Sequence, residues 1–131
     1  MRIMTALLML VASGSALGGW QEVDQSRNSF VYADPTTIRK TASLVKMWHM
    51  YDFSEGQQYA GIPYLSIKAQ MEYDCKSEQR RRIFDVVFSE NMGNGTQGIA
   101  NNTPKSEWEP VMPGTMGESL WKFACGKVKP K

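Results

Sequence analysis

The stretch Leu65-Ser66-Ile67-Lys68-Ala69-Gln70-Met71-Glu72-Tyr73-Asp74-Cys75 alternates apolar and polar side chains without a break. Leu65, Ile67, Ala69, Met71, Tyr73 and Cys75 fall on one side, and Ser66, Lys68, Gln70, Glu72 and Asp74 on the other. Successive side chains of an extended chain point to opposite faces, so this pattern predicts a β-strand with one face inward and one in water. Cys75 closes the strand on its inward face, and the chain holds one other cysteine, Cys125.

Strands are also predicted to either side. Residues 44–53 are apolar on both alternations, with Leu44, Trp48 and Met50 on one face and Val45, Met47, His49, Tyr51 and Phe53 on the other. A strand covered on both sides reads this way. In residues 82–88, Arg82, Phe84, Val86 and Phe88 alternate with Ile83, Asp85 and Val87, and the short connection from Cys75 predicts an antiparallel neighbour. Residues 30–33 form a short apolar run, stopped by the turn-forming pair Asp34-Pro35. Residues 54–63 read as a loop and the glycine-rich residues 91–98 as a flexible turn, and the chain from there to Pro113 looks irregular.

One helix is predicted. Thr115 and Glu118 stand three apart, as in a capping box, and Met116, Leu120, Phe123 and Ala124 follow helical spacing, as do Trp121 and Cys125. Gly126 is placed to end the helix in a left-handed conformation. So short a helix is marginal alone and needs a surface to lie on. A Cys75–Cys125 bond would supply it, pinning the helix over the concave side of the sheet; the alternative is two buried free thiols. No Cys-x-x-Cys spacing marks a redox pair.

The N-terminus predicts export. A basic start at Arg2, an apolar run over residues 3–12 and the small residues around Gly14, Ala16 and Gly18 match a signal peptide, taken as residues 1–18, and the run is too short to span a bilayer. Residues 19–131 are then one domain, soluble, exported to the periplasm or beyond. No cysteine near the cut offers a lipid attachment point. Without Arg2 the net charge falls from +2 to +1, which argues against nucleic acid, whose phosphates call for a basic face.

The residues point to no reaction. The single histidine, His49, has no His or Cys companion at metal-ligand spacing, and no phosphate loop or Gly-x-Ser-x-Gly elbow occurs. No enzyme and no cofactor are expected. Glu72 and Asp74 share a strand face but fit plain solvation. Two kinds of binding protein stay open. One holds a protein partner through aromatic residues, with Trp48 and Tyr51 on the strand and Tyr59 and Tyr64 in the following loop. Arg80, Arg81 and Arg82 are its candidate patch for an anionic partner, or else a solvated strand entrance. The other is a periplasmic binder of an apolar or haem-like small ligand, with His49, Met47 and Met50 as lining.

Several strings, in order, carry a family likeness. They are Phe30-Val31-Tyr32-Ala33-Asp34-Pro35-Thr36-Thr37-Ile38-Arg39, residues 44–53, Glu72-Tyr73-Asp74-Cys75, Asn91-Met92-Gly93-Asn94-Gly95, Trp108-Glu109-Pro110-Val111 and residues 117–125. Together they resemble the surface-adhesin protein E family of bacterial envelope proteins, from about Trp20 to Cys125. The resemblance implies an α+β fold: an antiparallel sheet of about six strands, with a short C-terminal helix tethered to its concave face by a Cys75–Cys125 disulfide. It also implies adhesion to host matrix and plasma proteins, a link to haem and a capacity to form a homodimer. Where the lipid-anchored namesake has basic residues, this chain has Ala60-Gly61-Ile62-Pro63-Tyr64. If the leader is a signal peptide, mass spectrometry of the exported protein will show a chain starting just after Ala16 or Gly18; a mature chain retaining Met1 overturns that reading.

Overall fold

In a computed structural model, residues 19–128 are described, and the expected signal peptide, residues 1–18, lies outside them. The strands are β1 (Gln21–Gln25), β2 (Ser29–Thr41), β3 (Leu44–Tyr59), β4 (Ile62–Asp74), β5 (Gln79–Phe88), β6 (Gln97–Asn102) and the two-residue β7 (Glu109–Pro110). The helix α1 (Met116–Ala124) follows. All pairings are antiparallel, in the order β1-β2-β3-β4-β5-β6. β7 pairs with β5. The expected fold class is thus observed, an antiparallel six-stranded path with a C-terminal helix.

Register explains the core. Val45 pairs with Tyr73 and Met47 with Met71, so these side chains rise from one face as neighbours, next to Val31 and Ala33 of β2. α1 lies on them against β1, β2 and β3 with Leu120, Trp121 and Ala124 buried, closing the core. The Cys75–Cys125 disulfide, with Cα atoms 5.6 Å apart, ties its C-terminal end to the end of β4. Trp121 Nε1 donates to the Asp74 carbonyl at 3.0 Å, and Ser119 Oγ donates to Asp24 at 2.8 Å. The helix stops in a Schellman motif: Lys127 N–H donates to the Lys122 carbonyl, Gly126 N–H to the Phe123 carbonyl, and Gly126 has φ 69°. At the other end Thr115 Oγ1 accepts from Glu118 N–H at 3.2 Å, but Glu118 reaches back to Gly114 N–H at 3.4 Å rather than to Thr115.

The stretch 54–63 read as a loop is instead strand apart from the turn at Ala60 and Gly61, with Tyr59 ending β3 and Tyr64 within β4, because the exposed polar residues of the hairpin tip hide its cross-strand pairing. Four further details of the sequence reading change. First, the run over residues 30–33 does not stop at Asp34-Pro35. β2 continues through a register shift between Asp34 and Arg39, where Asp34 Oδ1 accepts from Thr36 N–H and Oγ1. Second, residues 91–113 are not a turn followed by irregular chain. Asn91–Gly93 form one 3-10 turn, and β6 and β7 follow. They were hidden because β6 is mostly exposed polar residues and glycine, and β7 is only two residues. Third, the face of β4 expected to be wet is partly covered. Ser66 is buried, donating to the Glu90 carbonyl at 2.6 Å and accepting from Gly93 N–H at 2.9 Å, and Glu72 is buried against Arg81 at 2.6 Å. Fourth, a bulge at Ile83 moves Arg82 off the face of Phe84 and onto that of Asp85.

Among the described residues no helix is long and apolar enough to cross a membrane. Closing a loop of 50 residues is worth about 4 kcal/mol on the chain-entropy account. Reduction is therefore expected to lower the melting temperature by on the order of 10 °C or more. Leu120→Ala, which empties a fully buried site, is expected to cost about 2–5 kcal/mol in denaturant titration. A melting temperature unchanged by reductant overturns the tethered-helix account.

Candidate functional site

α1 covers only part of its face of the sheet. Over β3, β4 and β5 the same face stays open and forms a cavity of about 400 Å3, floored by His49, Tyr51 and Met71 and walled by Arg80, Arg82 and Glu107. A second hollow of about 260 Å3, lined by Tyr59, Tyr64, Val87 and Ile99, continues it toward the tip of the β3–β4 hairpin. Ile67, Arg82, Asp85 and Thr103 line both, making one groove. At the tip, Tyr59 pairs with Ile62 and both stay about half exposed, at 48% and 47%. The turn between them, Ala60 and Gly61, has φ of 50° and 78°, the positive values that suit a tight hairpin turn.

The groove's wall depends on the Ile83 bulge. Without the extra residue Arg82 would point to the opposite face; with it, Arg82 and Asp85 share the groove face and pair at 2.9 Å. Asn101 Nδ2 donates to Asp85 at 2.9 Å, Thr103 N–H donates to the Ile83 carbonyl at 2.7 Å, and Ser106 Oγ donates to the Arg82 carbonyl. These bonds fasten the segment after β6 across the gap between β6 and β7. Arg80, opposite Tyr73, leans against Gly117 of α1, where a Cβ would come within 2.6 Å of its Nη1.

The floor is electrostatically unusual. The His49 imidazole is only 4% exposed and is held neutral, its pKa lowered to about 3, first by burial and then by the Arg80 charge. Burial raises the Tyr51 and Tyr73 phenols, against the pull of Arg80. His49 Nδ1 and the Tyr73 hydroxyl are buried without a hydrogen-bond partner. Among the described residues no cluster of three His, Cys, Asp or Glu could hold a metal ion.

A family model described as surface-adhesin protein E matches residues 20–126. The chain belongs to that family. Solved structures of Haemophilus influenzae protein E are similar to it. Crystal form II superposes with a TM-score of 0.66 at 16% identity, over 82% of this chain and 87% of that one. A second structure gives 0.63 at 16% identity over 82% and 84%. Protein E from a non-typeable strain gives 0.58 at 15% identity over 82% and 76%. At this identity the likeness is one of fold. No curated protein matches the chain by sequence.

In this adhesin E family member, six of the residues singled out from sequence gather along the groove: His49, Tyr51, Tyr59, Tyr64, Arg80 and Arg82. Trp48 and Arg81 do not. Trp48 packs edge-on against Phe84 at 5.8 Å, on the opposite face. Arg81 pairs with Glu72 and stacks over Trp108 at 4.5 Å. Strand alternation separates them: Trp48 adjoins His49, and Arg81 lies between the two groove arginines. Met47 and Met50, both fully buried, also lie on opposite faces, so they cannot line one pocket with His49. The groove also uses Asp85, Thr103, Ser106, Glu107 and Glu109, which sequence reasoning passed over. Asp85 alternates away from Arg82 until the bulge is known, and the others lie in the stretch read as irregular.

The lowered His49 pKa has a definite sign. The unfolded chain takes up a proton near pH 6.5 while the folded chain resists until about 3, so the contribution of neutral His49 is complete above pH 6.5 and falls away below it. The loss is up to about 1.4 kcal/mol per pH unit. Between pH 7 and 5 the native protein is expected to lose about 2 kcal/mol more than His49→Gln in denaturant titrations. Equal losses overturn the assignment of a buried neutral imidazole.

Proposed function

We propose that this protein is an exported, non-enzymatic binding protein of the adhesin E type, periplasmic or secreted without a lipid anchor. It holds a protein partner along the groove between α1 and the β3–β4 hairpin tip. The observation that carries this reading is the convergence of aromatic and arginine side chains from three strands on one open surface. Tyrosine and arginine are the residues that anchor interfaces, since both offer large contact area and directed hydrogen bonds. Family membership supports the adhesive role and host matrix proteins as partners.

A small-ligand reading draws on one specific fact: the 400 Å3 cavity falls within the ordinary size range of ligand pockets. Against it stand the exposed, charged rim and the separation of Met47 from Met50.

Immobilised matrix proteins and free haem test the two readings side by side. Saturable protein binding, weakened about tenfold or more by the double change Tyr59→Ala and Tyr64→Ala at an unchanged melting temperature, is the expected result. Absence of saturable binding, together with a haem Soret shift that His49→Ala abolishes, would overturn the partner reading for the small-ligand one.

A further inference from the structure

We propose that the end of the groove beside the first turn of α1 is a receptor for a single carboxylate group, with Arg80 as its anchor. This rests on the reading of the groove as the binding surface and names the chemistry the groove selects.

The argument begins with pairing. Three consecutive arginines follow Gln79 in β5, and two have carboxylate partners: Arg81 with Glu72 at 2.6 Å and Arg82 with Asp85 at 2.9 Å. Among the described residues Arg80 forms no ion pair, although it is only partly exposed and is set under the helix. Glu109 stands opposite it in the β5–β7 pairing, yet is exposed and makes no ion pair. A guanidinium withdrawn from water without a counter-ion is costly. Two further unpaired polar groups lie within its influence, His49 Nδ1 and the Tyr73 hydroxyl, both on residues more than nine-tenths buried. The His49 residue lines the cavity, whereas Tyr73 lies beneath the helix in the core. Each such orphan costs about 1–3 kcal/mol unless something fills it. Arg80 lines the open cavity without a counter-ion, so it is the group that a ligand there can meet, with the two orphans buried behind it.

The inventory also fixes the ligand class. The guanidinium that faces the cavity offers only donors and a fixed positive charge. The missing group is an acceptor with negative charge. A planar carboxylate matches the fork of an arginine bidentately. The positive end of the α1 dipole adds to the field, since Gly117, against which Arg80 leans, lies in the first turn. The rim limits that charge. Glu107 and Glu109 are exposed there and Asp85 is committed to Arg82, so a dianion or polyanion meets more repulsion than one carboxylate does.

The shared chemistry has two sources, a free small carboxylate and an acidic side chain on a partner protein. The probes are acetyl-Gly-Glu-Gly-amide, its glutamine counterpart and acetate, titrated into the oxidised protein. Side-chain NMR signals of Arg80 and the His49 ring report occupancy. Saturable shifts are expected with the glutamate peptide and none with the glutamine peptide. Arg80→Gln is expected to weaken the response by about tenfold or more. Gly117→Ala should weaken it too by displacing the guanidinium while keeping its charge, which serves if Arg80→Gln does not fold. Glu109→Gln should strengthen it, a gain that a purely structural Arg80 would not give. A peptide binding more tightly than acetate identifies an acidic side chain as the source; equal affinities identify a free carboxylate. Equal responses to the glutamate and glutamine peptides, or a response untouched by both Arg80→Gln and Gly117→Ala, overturn the proposal. If matrix-protein binding then still depends on Tyr59 and Tyr64, the groove stands as the interface and only its carboxylate chemistry fails.

Discussion

A helix of nine residues has too few internal hydrogen bonds to repay its own nucleation in water, and an open sheet with an apolar face cannot leave that face wet. Each element here solves the other's problem, and the Cys75–Cys125 bond enforces the solution by keeping the helix end within reach of the strand end. The buried side chains of the helix and the Ser119–Asp24 bond set where it lies. The helix lies over β1, β2 and β3, and so leaves the same face of the sheet open toward β4 and β5.

The uncovered side became a groove because of one inserted residue. The bulge at Ile83 brings Arg82 and Asp85 to the same face, and the segment after β6 is fastened to the Arg82 and Ile83 carbonyls, where β5 passes between its pairings with β6 and β7. The opposite face is finished by aromatic and cationic stacking. Lys68 lies between the rings of Trp20 and Phe88, and Arg81 lies over Trp108. These two devices explain why neighbours in the chain have different fates, with Arg80 and Arg82 lining a cavity while Arg81 is bound up in packing.

Much of the fold was legible in the chain. Period-two alternation revealed β4, two-sided hydrophobicity revealed β3, and the capping residues with Gly126 revealed α1, because in each the local signal and the tertiary burial agree. Legibility failed where tertiary contacts override composition. β6 is polar and glycine-rich and exists by pairing with β5, while β7 is two residues held at the lower end of the same strand. Of the candidate contact residues, those on the groove face came together, whereas Trp48 and Arg81 failed by parity. For the arginines a single bulge decides parity, and nothing in the residues around Ile83 announces it.

The division of the sheet into a roofed part and an open part has a consequence for substitution. The roofed part carries the crosslink, the helix contacts and the main core, so substitutions there are felt as lost stability. The rim of the open part, with Tyr59, Ile62, Arg82, Glu107 and Glu109, is exposed and contributes little to that core, so its side chains can change at little cost in stability. Changes at the rim and changes in the core can therefore be made almost independently within one small sheet, because they draw on different side chains.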